Sequence, residues 1–206
     1  LRTSPPPNCT FCKIIKGCLG AGGKRIAVIC YYVAIDTRRR FDVRRMLVVI
    51  DMQEGAANGG YHRRYLNKRW WQRHADVVAK IQILSNKMAT VFQVHTGFRK
   101  REFIEVIPEL KPLAQKTRVL FKNQDDGSQK LAGFIAQDTH IYLCGMNTDA
   151  CVLRTGRGLR SKRRIVTVVG DACWTVYANK SSTPHHQALN SLRKSGIPVI
   201  KTSAVR

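Results

Sequence analysis

Leu143-Cys144-Gly145-Met146-Asn147-Thr148-Asp149-Ala150-Cys151-Val152 decides how this chain is read. The apolar run 141–144 has the length of a short buried strand. A glycine and a short polar turn follow, and Cys151 then opens a segment with helical spacing. A cysteine at a helix start feels the N-terminal field and free backbone N–H groups, which favour thiolate. Two other apolar runs end comparably. Residues 46–50 lead into Asp51-Met52-Gln53, and residues 118–121 lead into Lys122. Parallel α/β sheets build their sites at the C-terminal ends of strands. An acid, a lysine and a cysteine are therefore expected to share one sheet edge.

Strands and helices alternate outward from this stretch. Strands are expected at 46–50, 89–94, 118–121, 140–144, 165–169 and 198–200. Helices are expected at 61–86, 128–137, 150–160 and 183–194, the last stopped by Gly196. Continuous apolar strands between helices predict a mostly parallel, Rossmann-like sheet covered on both faces, a three-layer α/β/α sandwich. With 206 residues and 44% hydrophobic content, the chain can bury one sizeable core. Residues 45–206 read as that domain and 1–44 as a basic extension containing Ser4-Pro5-Pro6-Pro7 and Gly20-Ala21-Gly22-Gly23. No stretch reaches the roughly 20 apolar residues of a membrane span, so no membrane partner is expected.

Either site residue alone has a plain structural explanation. Asp51 alone would read as a cap, and Cys151 alone as a small buried side chain. Together, at matching strand ends, they read as a site. The motif 145–152, with Val169-Gly170-Asp171-Ala172-Cys173 and His186-Gln187-Ala188-Leu189, resembles the isochorismatase-like cysteine hydrolase family. That family includes nicotinamidases and carbamoyl-group amidohydrolases. The resemblance covers about residues 45–203. It implies Cys151 as nucleophile, Asp51 as its base and Lys122 as a stabiliser of charge. It also implies a cis peptide between Met146 and Asn147, with the N–H groups of Asn147 and Cys151 as oxyanion donors.

The chain departs from the family's pattern in three places. Glu54-Gly55-Ala56-Ala57-Asn58-Gly59-Gly60 stands where an aromatic residue usually shapes the pocket. Asn123-Gln124-Asp125-Asp126-Gly127 replaces a small-small-Phe segment, and its two acids are placed to neutralise Lys122. Nicotinamidases carry an Asp-x-His-x-x-His metal site after the second strand. Here Val94-His95-Thr96-Gly97-Phe98 supplies no second histidine, so that metal site is expected to be absent. No cofactor is expected. Cys9 and Cys12 form half a zinc knuckle and are a candidate zinc site that Cys18 and Cys30 could complete, although the spacing matches no strict zinc pattern.

Charge is the second large signal. Lys and Arg number 36 against 13 acids, a net +23. Such an excess repels itself, and a polyanionic partner is the simplest physical reason to keep it. Arg63, Arg64, Lys68, Arg69 and Arg73 interleave with Tyr61, Tyr65, Trp70 and Trp71. Arg99, Lys100 and Arg101 follow the second strand. Arg154, Arg157, Arg160, Arg163 and Arg164 run along and past the helix after Cys151. These clusters are expected to contact RNA through phosphates and shape, without reading sequence. Charge and altered pocket segments together favour a recruited structural subunit of a ribonucleoprotein. The expected particle is a mitochondrial ribosome, with rRNA and other subunits as partners and the mitochondrial matrix as location. The competing expectation is an active cysteine hydrolase.

Overall fold

The computed structural model of the chain describes residues 45–56, 66–97, 104–179 and 182–206. The expected extension 1–44 with Cys9 and Cys12, and the basic residues Arg63, Arg64, Arg99, Lys100 and Arg101, lie outside the described residues. Six strands form one sheet: β1 (Arg45–Ile50), β2 (Ala89–His95), β3 (Arg118–Lys122), β4 (His140–Gly145), β5 (Ile165–Cys173) and β6 (Val199–Ile200). Their order is β3-β2-β1-β4-β5-β6, and every pairing is parallel. The chain runs outward from β1 on one side, then crosses back to β4 and runs outward on the other. The reversal lies between β1 and β4, where open α/β sheets leave a crevice for ligands.

The helices are α1 (Lys68–Ser85), the short α2 (Lys111–Ala114), α3 (Ser128–Phe134), α4 (Leu153–Ser161) and α5 (Thr183–Lys194). Right-handed crossovers place α1 on one face and α3, α4 and α5 on the other. Packing agrees, since α1 lies on β1, β4 and β5 while α4 touches α3, α5 and β5. The result is the expected three-layer sandwich.

α1 shows how sequence specifies its element. Trp70, His74, Val77, Val78, Ile81 and Leu84 are buried, one stripe at three- and four-residue spacing. Asn67 caps the helix, its Oδ1 accepting from the Trp70 N–H at 2.9 Å. Trp70, placed among the basic residues in the sequence, is core: its indole N–H donates to the Thr175 carbonyl at 3.1 Å.

Three expected helix bounds shift for physical reasons. α1, expected from residue 61, begins at Lys68 behind the Asn67 cap, with residues 61–65 outside the described residues. α3 stops at Phe134 rather than at residue 137, because the buried Arg164 guanidinium takes the carbonyls of Ile135 and Ala136 and the side chain of Gln137. Arg164 is 2% exposed, so the expected RNA contact there is corrected to a structural one. The helix expected from residue 150 starts earlier, as a π-helical turn over Thr148–Val152 that runs into α4.

Gly145 closes β4 with a φ of 109°. A Cβ there would meet the Ile50 carbonyl oxygen at 2.1 Å, a main-chain atom of the paired strand that cannot retreat. Glycine is thus required where the nucleophile's turn begins.

Candidate active site

Asp51 follows β1, Lys122 ends β3 and Cys151 sits in the turn after β4, as their strand-end positions predict. All three are buried, at 1%, 2% and 6% exposure. Lys122 Nζ lies 2.9 Å from Asp51 Oδ2. The other carboxylate oxygen, Asp51 Oδ1, is buried with no hydrogen-bond partner inside the protein. Cys151 neighbours that carboxylate closely enough for its thiol to interact with it. The peptide between Met146 and Asn147 is cis. Cys151 lies in the first turn of a helix, whose N–H groups lack acceptors within the helix. The Asn147 side chain fixes the turn from outside, its Oδ1 accepting from the Val176 N–H at 2.9 Å.

The electrostatics correct one expectation. Burial, and next the Asp51 carboxylate, push the Cys151 thiol far above its ordinary range, and Lys122 opposes this only in part. Cys151 therefore rests as a thiol, not as the expected thiolate. Burial also raises Asp51, against the attraction of Lys122. A raised carboxylate is a better proton acceptor than an ordinary one, which is what a neutral thiol requires.

Lys122 is more fully occupied than the sequence indicated. Besides Asp51, its ammonium donates to the carbonyls of Gln124 at 3.1 Å and Asp125 at 3.4 Å. An ammonium has three N–H donors, so these partners use them all. The adjoining acids do not neutralise it through their side chains. Asp126 caps α3 by accepting from the Ser128 N–H at 2.8 Å. Asp125 turns to the nucleophile, and its Oδ1 accepts from the Cys151 thiol at 3.5 Å. Asp125 Oδ2 lies 2.7 Å from Arg154 Nη1, so Arg154 belongs to this site as well as to the basic face. His95 Nε2 is 3.8 Å from Asp125 Oδ1. The Gly97 N–H donates to His95 Nδ1 at 2.9 Å, which assigns the neutral ring's proton to Nε2. Burial lowers His95 from its ordinary value, so the neutral form prevails near pH 7.

The loop carrying Asp125 is tied down by groups that sequence reasoning passed over. The Thr155 hydroxyl donates to the Asp125 carbonyl at 3.3 Å and accepts from the Gly127 N–H at 3.0 Å. The buried Gln93 amide donates to the Gly127 carbonyl at 2.9 Å. It fills the space where a Cβ on residue 127 would fall, 1.9 Å away, so any larger residue there would have to displace the Gln93 amide. Gln53 links two strand ends, donating to the His95 carbonyl at 2.9 Å and accepting from the His95 N–H at 2.7 Å. One signal was visible: a glutamine between Phe92 and Val94 in the strand Ala89–His95.

Behind the nucleophile's turn, the Thr148 hydroxyl and His185 Nδ1 are 2.9 Å apart, and His185 packs on Trp174 at 4.9 Å. Burial first, then His186 and Arg73, lower His185 to about 4. The unfolded chain therefore binds this proton more readily, so stability is full above about pH 6.5 and falls as pH drops toward 4. The shift from 6.5 corresponds to about 3 kcal/mol. Denaturation at pH 7 and pH 4.5 should show a smaller pH loss in His185→Gln than in the native chain. Equal losses would show that His185 is not the cause.

Of the remaining basic candidates, Lys68, Arg69, Arg157, Arg160 and Arg163 are exposed and Arg73 is half-buried. Arg157 donates to Ser191 at 2.7 Å and Ser195 at 3.1 Å, tying α4 to α5. Arg73 lies over the Trp174 ring at 5.3 Å. Among the described residues, no three His, Cys, Asp or Glu side chains are grouped to hold a metal, and no helix is long and apolar enough to cross a membrane. A cavity of about 590 Å³ opens on the other face of β2 and β3 from Lys122, against Val94, Val119 and Phe121. It is not the catalytic cleft.

A family model described as the isochorismatase domain matches residues 45–204. No curated protein matches the sequence. Among solved structures, a cysteine hydrolase from Pseudomonas syringae pv. phaseolicola is similar at a TM-score of 0.62 and 19% identity, over 79% of this chain and 91% of that one. The nicotinamidase PncA from Bacillus subtilis is similar at 0.58 and 21%, over 77% and 99%. The MAR1 ribonuclease from Caenorhabditis elegans is similar at 0.53 and 21%, over 80% of each. At these identities the likeness is one of fold.

Proposed function

Since the chain belongs to the isochorismatase family, we propose that it is a cysteine-dependent hydrolase acting on an amide carbonyl. The observation that carries this reading is the buried Asp51 carboxylate, with one oxygen held by Lys122, the other without a partner, and the Cys151 thiol near enough to interact with it. A purely structural ion pair has no reason to leave a buried carboxylate oxygen without a partner.

Under this reading the thiol proton passes to Asp51 Oδ1 as Cys151 Sγ attacks the carbonyl carbon. The concerted transfer avoids forming a free thiolate, which burial disfavours. The N–H groups of Asn147 and Cys151 receive the oxyanion. Collapse of the tetrahedral species breaks the C–N bond, and Asp51 returns the proton to the leaving amine. Water then hydrolyses the thioester, releasing the acid and restoring the thiol. Lys122 positions Asp51 and the Asp125 loop. Its three donors are spent, so it does not bind the oxyanion directly. The nicotinamidase and cysteine hydrolase neighbours make primary amides the first substrates to try. Ammonia release from a panel of primary amides, compared with Cys151→Ala, tests the reading. Turnover of at least one amide by the native chain alone is expected. Equal release by both proteins would sink it.

A second reading, an RNA-binding surface, is supported by the net charge of +23 and by exposed Lys68, Arg69, Arg157, Arg160 and Arg163. One structural neighbour is a ribonuclease. Recruitment as an rRNA-contacting subunit in the mitochondrial matrix is the narrower form of this reading, supported by the charge and by the altered segments 54–60 and 123–127. Binding of unrelated RNAs should fall steeply as salt rises, with a slope reduced by reversing Arg157, Arg160 and Arg163. A salt-independent affinity, or a slope unmoved by the reversals, would set the surface aside.

A further inference from the structure

The Asp125 carboxylate stands at the mouth of the site, one-third exposed, while the thiol it touches is nearly closed off. Its place is fixed by the protein. Lys122 and the Thr155 hydroxyl hold its carbonyl, and Arg154 holds its outer oxygen. The helical segment that begins with the nucleophile's turn supplies Cys151, Arg154 and Thr155, so nucleophile, counter-charge and loop anchor move as one piece.

The local charges can be counted from the inside outward. Asp51 and Lys122 cancel as a buried pair. His95 approaches Asp125 as a neutral ring. Arg154, 63% exposed, pairs with the outer oxygen Oδ2 at 2.7 Å, which leaves Oδ1 toward the thiol. A group that reaches the sulfur thus meets Asp125 Oδ1 beside it, with the guanidinium on the far, solvent side of the carboxylate. We infer that Asp125 is a specificity-determining residue, which makes the site select neutral or cationic carbonyl substrates and reject those bearing a carboxylate near the scissile bond. This inference rests on the hydrolase reading for its substrate. It also runs against the chain as a whole, whose +23 charge attracts anions.

The test uses methanethiosulfonate reagents on the intact chain. The sulfur of Cys151 forms a disulfide with the reagent and a sulfinate leaves, so no turnover is needed. A trimethylammonium-ethyl reagent and a sulfonato-ethyl reagent differ in charge, and peptide mass spectrometry reads the rate at Cys151. The native protein should favour the cationic reagent by roughly tenfold, about the worth of one nearby, partly screened charge. Asp125→Asn should bring the ratio to one or invert it. Arg154→Gln should raise it further, and this variant decides the matter if Asp125→Asn does not fold. A native preference for the anionic reagent, or a ratio unmoved by either folded variant, would overturn the inference. The two readings fail separately: a flat ratio with amide turnover intact removes only the charge selection. A cationic preference without turnover removes only the hydrolase.

Discussion

Lys122→Met is expected to cost about 3–5 kcal/mol of stability, the usual penalty for stripping a buried ion pair of one member. The methionine keeps the length and loses the charge, leaving Asp51 at 1% exposure without its counter-ion. The carbonyls of Gln124 and Asp125 lose a donor in the same change. The loss should depend on pH with a definite sign. Burial already raises Asp51, and removing Lys122 raises it further. The folded variant then holds a proton that the unfolded chain releases, so its deficit relative to the native chain, measured at the same pH, should shrink as pH falls toward the ordinary carboxylate range. Urea denaturation at pH 7 and pH 5 reads both effects. A loss under about 1 kcal/mol, the range of exposed pairs, would mean that Lys122 is not the buried anchor described here.

Cys151→Ala is expected to abolish amide turnover, with a loss on the order of 10⁴- to 10⁶-fold, the scale seen when a covalent nucleophile is removed. Its cost in stability should be small, since a buried cysteine behaves as a small apolar residue and alanine leaves only a minor void. Cys151→Ser should be nearly as inactive. A hydroxyl is a poorer nucleophile than a thiol and needs a stronger base than Asp51 supplies. Rates with the best amide of the panel, alongside thermal midpoints, separate loss of chemistry from loss of fold.

The strand-end positions of Asp51, Lys122 and Cys151 were legible because strand–helix alternation fixes where a parallel sheet delivers its loops. The acidity of Cys151 was not legible. A helix start argues for thiolate, but the depth of burial and the nearness of Asp51 are tertiary facts, and they win. Asp125 was visible only as an acid beside a lysine. Its turn toward the thiol depends on Thr155, Gln93 and Gly127, which come from three separate parts of the chain. Arg164 read as one more basic surface residue, because a run of cations carries no sign of which one folds inward to cap α3. Charge could be counted from composition, while its division between surface and site could not.

The central claim is that Cys151 attacks as a thiol whose proton Asp51 accepts. Its most direct measurement is intact-protein mass spectrometry after rapid mixing with an activated ester of a neutral acid, followed by peptide mapping. One acyl group is expected on Cys151 in the native chain, none in Cys151→Ala, and acylation slowed by at least about a hundredfold in Asp51→Asn, which lacks the general base. Acylation of Cys151 at the native rate in Asp51→Asn, or an acyl group that maps elsewhere, would contradict the account.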